Sequence, residues 1–143
     1  VAGLSRRDFD LQVGKTRAVL TQLLGAGDYW LRPPYGIADS AAKRWADSPL
    51  ILWSVDPEDW KDSDTDRIVA SVLEHVEDGD IILMHDIYYS SVEAALRIVD
   101  ALLEEGYCFV TVEQLMVLRG VEPEKGQVYT AFPPMLPQED AGG

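Results

Sequence analysis

Only two histidines occur in the chain, His75 and His85, and the second stands where an imidazole can move a proton. It follows the apolar run Ile81-Ile82-Leu83-Met84 directly and precedes Asp86. A strand end of this kind can orient the ring and tune it for acid–base work, although a lone histidine there can equally be structural. His75 lies in Glu74-His75-Val76-Glu77 at a helix end, where a solvated ring favoured by the helix dipole explains it. A second cluster, Asp56-Pro57-Glu58-Asp59-Trp60, sets three carboxylates within four residues. As an isolated motif it reads as a solvated loop. Trp60 argues the other way, because a large aromatic beside acids lowers the local dielectric and offers a sugar ring a flat surface. Trp53 can line the same wall or belong to the core. The third cluster, Arg32-Pro33-Pro34-Tyr35-Gly36, is either a tight turn with an exposed arginine or a loop stiff enough to aim an Arg and a backbone N–H at one point. The latter is what a developing oxyanion requires.

The elements that must position these groups follow from periodicity. Apolar residues at Phe9, Val13, Leu20, Leu23 and Leu24 predict an amphipathic helix over 5–24, stopped by Gly25 and Gly27. Tyr29-Trp30-Leu31 is a strand candidate cut off by Pro33 and Pro34. A brief helix over 40–45 leads to the continuous apolar run 50–55, expected for a strand covered on both faces. Ile68, Val69, Val72, Leu73 and Val76 make one helical stripe over 65–76, and Asp78-Gly79 turns the chain into the strand 81–84. The next helix, 91–105, is expected to face inward with Val92, Ala95, Leu96, Val99, Leu102 and Leu103. Gly106 then leads to a strand over 107–110 and a short helix over 112–118. The lone Cys108 falls inside that last strand, which predicts a small buried thiol.

Strands alternating with helices call for right-handed crossovers and a parallel sheet, open or part of a barrel, with ligand sites where the strands end. Arg32, Asp56, Asp59 and His85 all fall at such ends. The reading divides the chain into a folded part, 1–120, and a Pro- and Gly-rich tail, 121–143, that crosses the surface.

Composition narrows the class of function. A hydrophobic content of 47% over 143 residues is enough for one ordinary core. The formal net charge of -13 repels phosphates, which excludes nucleic acid and anionic membranes as partners. No run reaches the roughly 18 apolar residues of a membrane span. Residues 1–7 lack a starting methionine and the layout of a signal peptide, so the chain is expected to be processed or begun in mid-gene.

Taken in order, Arg32-Pro33-Pro34-Tyr35-Gly36, the stretch Trp53 to Trp60 with its Asp-x-x-Asp-Trp ending, and Leu83-Met84-His85-Asp86 resemble the third, fourth and fifth motifs of the NodB polysaccharide deacetylases, carbohydrate esterase family 4. The resemblance extends over residues 4–118. It implies an α/β fold, part of an irregular NodB-type (β/α) barrel with parallel strands, and hydrolysis of N-acetyl groups on an N-acetylglucosamine polymer of peptidoglycan or chitin type. It implies that His85 is the general acid, Asp59 holds and tunes it, Arg32 positions the catalytic aspartate, and the Tyr35 N–H binds the oxyanion. Leu83 and Trp53 would wall a pocket for the acetyl methyl. The intact family enzyme uses a divalent metal, zinc or similar, bound by an earlier Asp-Asp motif and a His-x-x-x-His pair. Neither ligand motif occurs here, so no metal is expected on this chain alone, and its missing N-terminal half or self-association is expected to cover the open barrel. An extracytoplasmic or cell-envelope setting follows from the family. A second reading, a non-catalytic carbohydrate-binding or pseudoenzyme module, has no use for the pair Asp59 and His85, and a third is a structural or assembly piece that meets a partner through an apolar surface a complete barrel would cover.

Overall fold

A computed structural model describes residues 3–135. The first two residues and the last eight, including the end of the expected tail, lie outside them. The described chain falls into two compact units, one of residues 3–52 and 122–130, the other of 53–121 and 131–135.

In the first unit, α1 (Arg6–Leu24) begins at Ser5, whose hydroxyl oxygen accepts from the Asp8 N–H, and ends at Gly25 with φ 89°. Only Phe9 of its apolar residues is fully buried, where it meets Trp45 edge to face at 5.9 Å. Leu23 and Leu24 remain about 70% exposed, against expectation, because the helix outruns the small core of Phe9, Ala42, Ala46 and Leu50. The helix α2 (Ser40–Trp45) is capped by Asp39, which accepts from the Ala42 N–H at 2.7 Å. The strand β1 (Leu50–Ile51) is fully covered and pairs in parallel with β2 (Val128–Tyr129), while Leu31 bridges Leu50 on its other side, also in parallel. Residues read from the sequence as a surface tail therefore supply a strand. The Pro and Gly residues around it concealed it, since a two-residue strand carries almost no periodic signal.

In the second unit, α3 (Thr65–His75) starts from the Asp64 cap and packs Ile68, Val69 and Val72 against Ala94, Ile98 and Leu102 of α4 (Tyr89–Glu104), with Val55 beneath. The inward face of α4 is Ser91, Ala94, Ile98 and Leu102, and the expected Val92, Leu96 and Leu103 are exposed. Ser91 and Ala94 are small enough to let the two helices approach, so close packing selected the face with fewer large side chains. Val55 bridges Ile82 in parallel, and α5 (Val112–Leu118) opens on a capping box of Thr111 and Gln114.

The strand expected over 107–110 does not form, and Cys108 is exposed. The Tyr107 N–H is taken by Leu102 O in closing α4, and a cavity of about 680 Å³, lined among others by Ile81, Ile82, Phe109 and Val110, flanks the segment. Without a neighbouring ladder among the described residues, the run stays extended with Phe109 and Val110 about half exposed.

Candidate active site

The second unit brings Asp59 and His85 together. The chain leaves Val55, turns at Asp56, whose carboxylate accepts from the Glu58 N–H at 2.9 Å, and passes Glu58 in a left-handed conformation, φ 52°. This delivers Asp59 into the interior, with its side chain fully buried. Its Oδ1 lies 2.8 Å from Nδ1 of His85, and its Oδ2 accepts from the His85 backbone N–H at 2.8 Å. Burial raises the carboxyl pKa, but the His85 ring and amide bonds, with help from the Ser91 hydroxyl, outweigh it and hold Asp59 below its ordinary value. With Nδ1 turned to the carboxylate, Nε2 is the ring nitrogen left to meet a ligand. About a third of the His85 side chain is exposed.

Trp60, next to the buried acid, is half exposed, with Lys61 Nζ 5.0 Å from its ring centre. Trp53 is partly buried, whereas Leu83 is buried and donates its N–H to Val55 O at 2.9 Å. His75 is exposed at the end of α3, its Nδ1 beside Ser71 O at 2.8 Å.

In the first unit, Arg32 precedes a 3₁₀ turn over Pro34–Gly36, and Tyr35 is its middle residue. Pro33 is fully buried and anchors the turn. Arg32 donates through Nε to Ile51 O and through Nη2 to Leu52 O, both at 3.4 Å, and desolvation lowers its pKa. Tyr35 has φ 58° and ψ 17°, a left-handed conformation that costs a non-glycine residue about 1–3 kcal/mol. The turn's own bonds are donated by Gly36 and Ile37, so the Tyr35 N–H lies outside them. Such strain in a short, proline-fixed loop is a common mark of a functional backbone amide.

Two residues of the site escaped the sequence reading. Ser91 is fully buried on α4, its hydroxyl 3.5 Å from Asp59 O, and Arg67 of α3 donates to Pro57 O at 3.1 Å in the acidic loop. A small polar residue three positions before Ala94 on the buried stripe was the only available signal for Ser91. For Arg67 there was none, since a charged residue in the first turn of a helix is ordinarily solvated.

The resemblance implies a divalent metal, and the residues present do not fit one. Among the described residues no three His, Cys, Asp or Glu side chains gather as a metal site. Asp59 is already committed to His85, and His75 is held at a helix end.

No family model matches the sequence. Peptidoglycan-N-acetylmuramic acid deacetylase PdaC of Bacillus subtilis is 38% identical over 112 residues, 78% of this chain and 24% of that protein. Peptidoglycan-N-acetylglucosamine deacetylase PgdA of Listeria monocytogenes is 35% identical over 104 residues, 73% of this chain and 22% of that protein. A T48 deacetylase solved with substrate superposes with a TM-score of 0.83 at 37% identity, over 90% of this chain and 64% of that one. The chain belongs to the polysaccharide deacetylases of carbohydrate esterase family 4. As a family 4 chain it has the expected α/β class, part of the NodB-type (β/α) barrel. It spans about a quarter of the length of these two curated relatives.

Proposed function

We propose that this chain supplies the acid side of a metal-dependent polysaccharide deacetylase that hydrolyses N-acetyl groups on an N-acetylglucosamine polymer of peptidoglycan or chitin type. The observation that carries the reading is the doubly bonded Asp59–His85 pair, a buried carboxylate behind a partly exposed imidazole. Amide hydrolysis adds water oxygen to the acyl carbon and breaks the C–N bond, and the amine departs only when it is protonated. In this reading His85 delivers that proton from Nε2, and Asp59 stabilises the imidazolium before the transfer. Arg32 positions the catalytic aspartate, which lies outside this chain, and the Tyr35 N–H donates to the tetrahedral oxyanion. Trp53 and Leu83 wall the acetyl methyl, and Trp60 offers a face to the sugar.

The metal and its ligands come from outside the described residues, so this chain alone is inactive in this reading. A companion segment, or a second copy over the cavity beside Phe109, completes it. The polymers concerned lie in the cell envelope, which sets the protein outside the cytoplasm. No helix among the described residues is long and apolar enough to cross a membrane. A non-catalytic carbohydrate-binding role would leave the buried Asp59–His85 pair without a purpose.

The test combines the chain with a polypeptide bearing the family's metal ligands, adds zinc, and measures acetate released from N-acetylglucosamine oligomers. Release by the mixture, abolished by a chelator and absent from the chain alone, is the expected result. No release from the mixture would sink the deacetylase reading. One tightly held metal on the isolated chain, by elemental analysis, would overturn the division between the two parts.

A further inference from the structure

The loop that carries Asp59 contains a strained residue, Glu58, and no regular secondary structure of its own. A left-handed non-glycine residue persists only where its surroundings over-determine it. Arg67 is positioned to do so. From the first turn of α3 its Nε donates to Asp62 Oδ2 at 2.8 Å, its Nη1 to Pro57 O at 3.1 Å and its Nη2 to Glu58 O at 3.5 Å. One planar guanidinium thus ties the two carbonyls before Asp59 to the carboxylate three residues after it.

We propose that Arg67 is a positioning residue for the acid pair, fixing the 57–62 loop so that the Asp59 carboxylate meets both the ring and the amide of His85. The proposal rests on reading that pair as the proton donor of the site. Arg67 reaches Asp59 only through the loop backbone. The helix has little need of this side chain for its own stability: Asp64 caps α3, and Ile68, Val69 and Val72 bury its inner face. A lysine keeps the charge but presents one compact ammonium, which cannot serve the fork of acceptors that a guanidinium spans.

The test is residue-resolved amide exchange on the full chain, without substrate or metal. In Arg67→Ala the His85 N–H, which donates to Asp59 Oδ2, is expected to exchange roughly tenfold faster or more, because only the local opening becomes easier. Val72 and Ile98 amides, within the packed α3–α4 pair, should keep their protection. Arg67→Lys should fall between the two. If Arg67→Ala does not fold, Asp62→Ala removes the Nε anchor, together with the bond that Asp62 Oδ1 accepts from the Asp64 N–H at 3.0 Å, and a smaller acceleration at His85 is expected, with Val72 and Ile98 still protected. Unchanged His85 exchange, full protection by lysine, or an equal acceleration of His85, Val72 and Ile98 would each overturn the proposal. Failure of the deacetylase reading is distinguishable, since it appears as missing acetate release with the loop intact.

Discussion

Asp59 meets His85 through both carboxylate oxygens, one on the imidazole and one on the backbone amide of the same residue, each at 2.8 Å. A ring bond alone would leave the histidine free to swing about its side-chain torsions. The amide bond fixes the start of those torsions as well, so the carboxylate sets both where the residue begins and where its ring points.

Asp59→Asn keeps the shape but not the charge, and is expected to cost roughly 1–3 kcal/mol of stability near neutral pH. Folded Asp59 takes up a proton less readily than an unfolded aspartate, whose ordinary value is 3.8. Its contribution is therefore complete above that value and is lost as pH falls through the lower folded value. Asp39, Asp47 and Asp62 are displaced in the same direction, so acid weakens the fold at several points. Urea unfolding of wild type and variant isolates the Asp59 part: the difference should shrink below about pH 4. A difference that stays constant down to pH 2 would contradict it.

In the complete enzyme, His85→Ala is expected to lower kcat by roughly 10²- to 10⁴-fold with little change in KM, the usual loss when a general acid is removed. Steady-state kinetics on an N-acetylglucosamine oligomer decides this. A rise confined to KM would make His85 a binding residue instead.

Gly126 should not tolerate a side chain. Its φ is 72°, and an added Cβ would stand 1.9 Å from Lys43 O, against backbone that cannot step aside. Gly126 also donates its N–H to Ser48 O, two residues before β1 begins. Gly126→Ala is therefore expected to cost roughly 2–4 kcal/mol by thermal unfolding, through strain and loss of the β1–β2 pairing. A change below about 0.5 kcal/mol, typical of a neutral surface site, would count against that pairing.

Cys108, read from the sequence as buried, is exposed beside a cavity of about 680 Å³. One equivalent of a thiol reagent such as DTNB should react with the native chain without denaturant. A companion chain that fills the cavity should slow the reaction. Labelling that requires urea would return Cys108 to a buried strand.

The sequence by itself determined the helices, because their signals are local. Caps at Ser5, Asp39, Asp64 and Thr111 act within three residues of the side chains that provide them, and helical periodicity needs only a few turns to be read. The three motifs were legible for the same reason, as short runs of unusual residues at strand ends. What depended on distant partners was decided only by the tertiary structure. The buried face of α4 followed from how closely α3 could approach across Ser91 and Ala94, which no periodicity encodes. The run 107–110 has the composition of a strand, yet a strand exists only where another backbone accepts its hydrogen bonds, and β2 formed for the converse reason in two residues too short to show a period. Asp59 and His85 are 26 residues apart, and Arg67 grips a loop ten residues behind it. Their roles arise from contacts across the fold, where direction and distance, not residue type, decide which groups meet.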